Sequence, residues 1–210
     1  MSAEENFKSL VDGFILVGGK SRRMGTDKAH LRLKGQTFLE RISGELSAVT
    51  DRVTIVGGMD DEIKSQNPDG REIVFRHVPD VYSDWGALGG VHAALSTCKS
   101  EWALVVACDF PFVSRDLFAR IIELRQDADA VAPIQSDLIP QPLCSLYRIT
   151  PCMKLAEDLI KSSERKPIAL LQSVRTRWVQ FNEIADLEGA NHFFDNINSP
   201  EDYDRIIKVS

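Results

Sequence analysis

The chain has 210 residues, 27% of them charged and 43% apolar, with a net charge of −6. That length can bury a substantial core unaided, and the acidic balance excludes a general nucleic-acid binder, which needs a broad basic surface. It does not exclude a phosphate ligand, because a local basic cluster suffices to bind one.

Cys98, Cys108, Cys144 and Cys152 show no CxxC spacing and no Cys/His cluster of the zinc type, a scatter that fits a reducing compartment. The acidic start MSAEENFKSLVDG is followed by an apolar run at 14–17 that is too short for a signal-peptide core or a membrane span. A cytoplasmic protein is therefore expected, as a single domain over 1–210 with residues 1–12 as a flexible N-terminal segment.

The first element is a buried parallel strand over 13–17 that ends at Gly18-Gly19. Thr37-Phe-Leu-Glu40 is a capping box opening a helix to about residue 48. Strands follow at 52–56, ending at Gly57-Gly58, and at 73–77. A glycine-rich bend over 86–90 leads into a helix at 91–96. A fully apolar strand at 103–107 delivers Cys108-Asp109 at its end, and Ser114 caps a helix to about residue 125. Strands at 130–132 and 143–147 come next. Thr150-Pro151 reads as cap and first-turn proline of a helix to about residue 160, and Ser199-Pro200 as the same pair before a last helix. This alternation predicts an α/β fold: a mostly parallel, Rossmann-like sheet with helices on both faces. Ligands of such sheets bind beyond the carboxyl ends of the strands, which makes Gly18, Gly57-Gly58, Asp80 and Asp109 neighbours.

The most informative stretch runs from Leu16 to Lys28. Between Gly18 and Gly35 stand Lys20, Arg22, Arg23, Lys28, Arg32 and Lys34, with Asp27 as the one acid. Glycines let the backbone turn its N–H groups onto a phosphate, arginine grips phosphate oxygens in pairs, and lysine adds a point charge. Gly19-Lys20-Ser21 imitates the end of a P-loop, but Phe14 stands where its first glycine belongs, and GxGxxG is absent. An ordinary strand-to-turn connection with solvated charges is the bland alternative. Asp109 reads either as a turn aspartate or as a carboxylate placed to hold Mg²⁺ with substrate phosphates. Lys161-Ser-Ser-Glu-Arg-Lys166 reads either as a solvated helix end or as a grip on an acceptor phosphate. His77 and His92 lack triad-like partners and are read as structural, and Cys108 as core.

Leu16-Val-Gly-Gly-Lys-Ser-Arg-Arg-Met-Gly-Thr-Asp-Lys28 resembles L-A-G-G-x-S-x-R-M-G-x-D-K, with Val17 in place of the usual alanine. That string is the signature of the molybdenum cofactor guanylyltransferase family (molybdopterin-guanine dinucleotide biosynthesis protein A-like), within the glycosyltransferase-A-like nucleotidyltransferases. Val78-Pro-Asp80 followed by Gly86-Ala-Leu-Gly-Gly90, then Cys108-Asp109-Phe-Pro-Phe112, Gln141-Pro-Leu-Cys-Ser-Leu-Tyr147 and Asn196-Ile-Asn-Ser-Pro200 resemble further family motifs, in family order. The asparagine that many members carry after the second strand has no match in Ile55-Val-Gly-Gly-Met-Asp60. Cytosine-transferring relatives usually carry L-A-A-G in the first loop, and Gly18-Gly19 suits a larger purine.

The resemblance implies a single three-layer α/β/α domain of the nucleotide-diphospho-sugar transferase type. It implies GTP bound by Leu16, Val17, Gly18, Gly19, Lys28, Asp80 and Asp109, with Arg23, Lys28 and Asp109 as the catalytic set. Mg²⁺ would be held by Asp109 and by Asn198 in preference to Asn196. GMP would pass to molybdopterin with release of pyrophosphate, and molybdoenzymes or other cofactor-biosynthesis proteins would be partners. Two alternatives stay open: a cytidylyl- or sugar-phosphate nucleotidyltransferase of the same fold, and a non-catalytic nucleotide-binding or cofactor-delivery protein.

Overall fold

The computed structural model describes residues 10–18, 31–33, 35–57, 64–66, 72–74, 76–79, 82 and 85–197. Eleven strands fall within them: β1 Val11–Leu16, β2 Arg32–Leu33, β3 Gln36–Thr37, β4 Val53–Val56, β5 Lys64–Gln66, β6 Glu72–Val74, β7 Arg76–Val78, β8 Trp102–Ala107, β9 Ala130–Pro133, β10 Cys144–Arg148 and β11 Thr176–Val179. Five α-helices accompany them: α1 Phe38–Ser47, α2 Gly86–Thr97, α3 Arg115–Glu123, α4 Ile149–Lys161 and α5 Pro167–Ser173.

Seven strands form the main sheet in the order β11-β9-β10-β8-β1-β4-β7. β1 lies parallel to β8 and β4, β4 to β7, and β9 to β11; β10 runs antiparallel to both β8 and β9. The expected α/β sheet is thus present and mostly parallel. The reversal at β10 turns the loop after β9 into a hairpin that stays at the carboxyl edge. Two short ribbons, β2–β3 and β5–β6, stand outside the sheet.

Strand alternation supplies both faces of the core. Ile15, Leu104 and Val106 join Leu39, Ile42 and Leu46 of α1 and Leu117, Phe118 and Ile121 of α3 on one face. Phe14, Ala103 and Val105 join Leu88 and Val91 of α2, Ala156 and Ile160 of α4 and Leu170 and Leu171 of α5 on the other. Burying a Leu, Ile or Phe is worth about 1.5–3 kcal/mol each, and this alternation is what commits both faces to helices.

Several boundaries differ from expectation. β1 begins at Val11, so Val11 and Asp12 belong to the sheet and not to a flexible leader. Asp12 is buried, and its carboxylate accepts from the Lys99 N–H at 2.8 Å, the Ser100 N–H at 3.2 Å and the Ser100 hydroxyl at 3.1 Å. That carboxylate fastens the start of β1 to the α2–β8 connection, at the edge away from Asp109. The glycine-rich bend is itself the first turns of α2. A β-carbon on Gly90 would lie 3.2 Å from the Leu16 side chain, so the small residues there let α2 close onto β1. α4 starts at Ile149 after Arg148, with no side-chain cap, because β10 runs straight into it and the Ile149 N–H is taken by the Glu101 carbonyl at 2.9 Å. Thr150 and Pro151 therefore lie inside the first turn, where a missing N–H costs nothing. The strand read over 73–77 divides: β6 pairs with β5, and only β7 joins the main sheet. The capping box at Thr37 and Glu40 closes as read, at 2.6 and 3.1 Å.

Candidate active site

The strand ends that carry the sequence motifs converge at the carboxyl edge. β1 leaves the sheet through Val17, whose N–H donates to the Val56 carbonyl at 2.8 Å. Gly18 follows with φ +122°, a conformation that favours glycine. The Leu16 carbonyl accepts from the Cys108 N–H at 3.0 Å, and the Ala107 N–H donates to the Leu143 carbonyl at 2.8 Å. The glycine turn is thereby fixed one residue from Asp109, which is half-buried. On the other side, Gly57 adopts φ +79°, and a β-carbon there would lie 2.4 Å from the Val17 carbonyl oxygen. Three strand ends therefore meet with backbone, not side chains, between them.

The chain after Asp109 is held by aromatic packing. Phe110 and Phe194 meet edge to face at 6.0 Å, and Phe194 meets Phe193 at 6.3 Å. Leu33, Phe38 and Ile197 are buried together, with Leu31 and Phe112 against them. That small cluster joins three distant motifs: the return of the basic loop, the segment after Asp109, and the Asn196-Ile197 segment. Gly19, Arg23, Lys28, Asp80 and Asn198 lie outside the described residues. Leu16, Val17, Gly18 and Asp109 are brought together, and the flanks of the remaining positions return to the same edge.

One feature escaped the sequence reading, the pairing of Trp85 with Arg165. Trp85 precedes α2 without a side-chain cap, and the Arg165 guanidinium stacks over its ring at 5.2 Å. Arg165 stands in the loop after α4, which climbs back to the carboxyl edge because β10 descends. Of the two readings for residues 161–166, Lys161 follows the solvated one, bonded to Glu157 at 2.5 Å. Arg165 instead joins the rim beside the α2 N-terminus. The signal available was the charge run; its aromatic partner is 80 residues away and left none.

His92 packs edge to face on Tyr82 at 5.1 Å, a structural role. Cys108 is buried in the core. Burial pushes the Cys98 and Cys152 thiols up to about 12 and raises Cys144 further, so none of these three is a thiolate nucleophile near neutral pH. A cleft of about 580 Å³ opens at the opposite edge, lined by Leu10, Glu101, Trp102, Arg125, Arg148 and Arg175. Its charges are mixed, and Arg148 is held by Glu101 at 2.9 Å. That cleft lies at the amino edge of the sheet, away from the glycine turn.

The MobA-like NTP transferase domain family matches residues 13–176. A "probable molybdenum cofactor guanylyltransferase" of Pelotomaculum thermopropionicum is 33% identical over 190 residues, covering 90% of this chain and 88% of that protein. The "molybdenum cofactor guanylyltransferase" of Syntrophotalea carbinolica is 30% identical, over 91% of this chain and 88% of its own. Among solved structures, molybdopterin-guanine dinucleotide biosynthesis protein A from Archaeoglobus fulgidus superposes with a TM-score of 0.74 at 24% identity, over 94% and 97% of the two chains. A 2-C-methyl-D-erythritol 4-phosphate cytidylyltransferase from Thermus thermophilus shares the fold at a TM-score of 0.67 and 17% identity, over 94% and 96%.

Proposed function

Because the chain belongs to the MobA-like NTP transferase family, we propose that it transfers GMP from GTP to molybdopterin and releases pyrophosphate. The observation that carries this reading is the junction of strand ends: the Leu16 carbonyl bonded to the Cys108 N–H sets the glycine turn beside Asp109. A triphosphate held by the turn and its basic loop then presents its α-phosphate at that carboxylate.

In the transfer, an oxygen of the acceptor's terminal phosphate attacks the α-phosphorus. The new P–O bond forms as the bond to the β-phosphate bridging oxygen breaks, and pyrophosphate leaves with that electron pair. The nucleophile is already anionic, so no strong general base is required. The difficulty is the approach of two anions, which positioning and positive charge relieve. The Gly18 and Gly19 backbone with Arg23 and Lys28 would hold the phosphates, and Asp80 would contact the nucleotide. Arg165, displayed on Trp85 at the rim, would take the acceptor phosphate.

Asp109, with Asn198, would hold Mg²⁺. These are hard oxygen donors, and Mg²⁺ needs only one or two carboxylates beside substrate phosphates and waters. When bound there, the ion would neutralise charge at the α-phosphate. Among the described residues no helix is long and apolar enough to cross a membrane.

The test is pyrophosphate release with GTP, Mg²⁺ and molybdopterin, together with mass detection of the guanylylated product. Wild-type protein should turn over, and Asp109→Ala should abolish turnover with an unchanged circular-dichroism melt. Near-normal turnover by the variant would remove Asp109 from the site. Product formed from CTP instead of GTP would replace the guanylyl assignment by a cytidylyl one.

A further inference from the structure

The connection between β9 and β10 displays two adjacent aliphatic residues to solvent. Leu138 is 76% exposed and Ile139 53%. Leu138 has φ +69°, and a left-handed conformation costs a branched residue about 1–2 kcal/mol. The turn is nevertheless pinned. The Leu138 N–H donates to the Gln135 carbonyl at 3.0 Å, the Gln135 N–H to the Ile139 carbonyl at 3.0 Å, and the Ile139 N–H to Asp137 Oδ1 at 3.2 Å. A strained, bonded turn that holds apolar side chains in water calls for a functional explanation.

The turn belongs to the wall of the site. Leu143, at the return of the hairpin, receives the Ala107 N–H two residues before Asp109. Gln135 Nε2 donates to the Phe194 carbonyl at 3.4 Å, and the Phe194 ring packs on Phe110, next to Asp109. The sheet order then assigns sides. The glycine turn lies on β1 with β4 beyond it, while β10 and β9 flank β8 on the other side. In-line transfer requires the acceptor to enter opposite the departing pyrophosphate, and the β10–β9 side lies across the end of β8 from the glycine turn.

We propose that Leu138 and Ile139 form an apolar lip of the acceptor subsite, packing on the fused ring system of the acceptor while its phosphate reaches toward Asp109. This inference rests on the reading of molybdopterin as acceptor. Aliphatic carbons laid on a face of the acceptor's rings remove both from water, and a pinned turn does so without first being ordered.

The experiment compares the full-length chain with the Leu138→Ser/Ile139→Ser double variant and with Met153→Ser. Met153 is a partly exposed apolar residue near the start of α4, toward the opposite edge. Molybdopterin binding is followed by fluorescence titration and GTP binding by calorimetry, apart from any turnover. The double variant should bind molybdopterin about tenfold more weakly or worse, with GTP affinity unchanged and Met153→Ser like wild type. In turnover the same change should raise the acceptor KM and leave kcat alone, as loss of ground-state contact does. Equal molybdopterin affinity in wild type and double variant, or binding to neither, overturns the lip. A wild type that binds molybdopterin through the lip but releases no pyrophosphate refutes the transferase reading and leaves the lip standing.

Discussion

Gly57 decides how closely β4 can end beside the glycine turn. Its N–H donates to the Val78 carbonyl at 3.0 Å, so its backbone is already committed to β7. A methyl group on it would lie 2.4 Å from the Val17 carbonyl oxygen, and its φ of +79° is itself strained for alanine. Neither partner is a flexible side-chain tip, so the clash must move backbone. Gly57→Ala is expected to cost about 1–3 kcal/mol, lowering the melting temperature by roughly 2–4 °C per kcal/mol in a chain of this size. Because the displaced group is Val17, GTP affinity should fall as well. Thermal melts with and without GTP measure both effects; an unchanged melt in both states would contradict the contact. The sequence marked Gly57-Gly58 as a strand end, but the approach to Val17 depends on β1–β4 pairing and is not written locally.

At the scale of elements, α4 closes with a turn that the wrong residue occupies. The Glu164 N–H reaches the Leu159 carbonyl and the Ser163 N–H the Ile160 carbonyl, both at 2.9 Å, the double bond pattern of a Schellman close. The left-handed position in that motif belongs to glycine, yet here it is Ser163 with φ +69°. Ser163→Gly should therefore relieve about 1 kcal/mol and raise the melting temperature by roughly 2–4 °C, without changing turnover. A fall in the melting temperature would mean that the serine hydroxyl contributes more than its backbone costs. The serine also explains why the connection was hard to read: with no glycine stop, residues 161–166 look like a charge run, and α5 and β11 beyond them were missed. Pro167 is the first residue of α5, and Thr176-Arg-Trp-Val179 carries β-branched and aromatic residues, so faint signals existed. By contrast β8 was plain, since the unbroken apolar run Trp102-Ala-Leu-Val-Val-Ala107 has strand length and β-branched centre residues. The Thr37 capping box was equally plain, because both of its hydrogen bonds lie within four residues.

For the whole molecule, the sheet order turns scattered motifs into one site. A chain of net charge −6 concentrates six basic residues between Gly18 and Gly35, and the fold brings the start and the return of that stretch to the edge where Asp109 ends β8. The order of motifs was legible in the sequence; their distances were not, because hydrogen bonds such as Cys108 N–H to the Leu16 carbonyl join residues far apart in the chain. The same assembly bears on which base is bound. Guanine offers O6 as acceptor and N1–H and N2–H₂ as donors, and backbone groups can satisfy that edge without an acidic side chain. The Leu16–Gly18 turn and the Gly57 end of β4, held together by the Val17 N–H on the Val56 carbonyl, present such backbone at one place. An unmatched polar group in a closed pocket costs about 1–3 kcal/mol, so GTP should bind roughly ten- to a hundredfold more tightly than ATP or CTP. Calorimetric titration with the three nucleotides in Mg²⁺ decides the point. Equal affinities would leave nucleotidyl transfer intact but place guanine selection outside the backbone of β1 and β4.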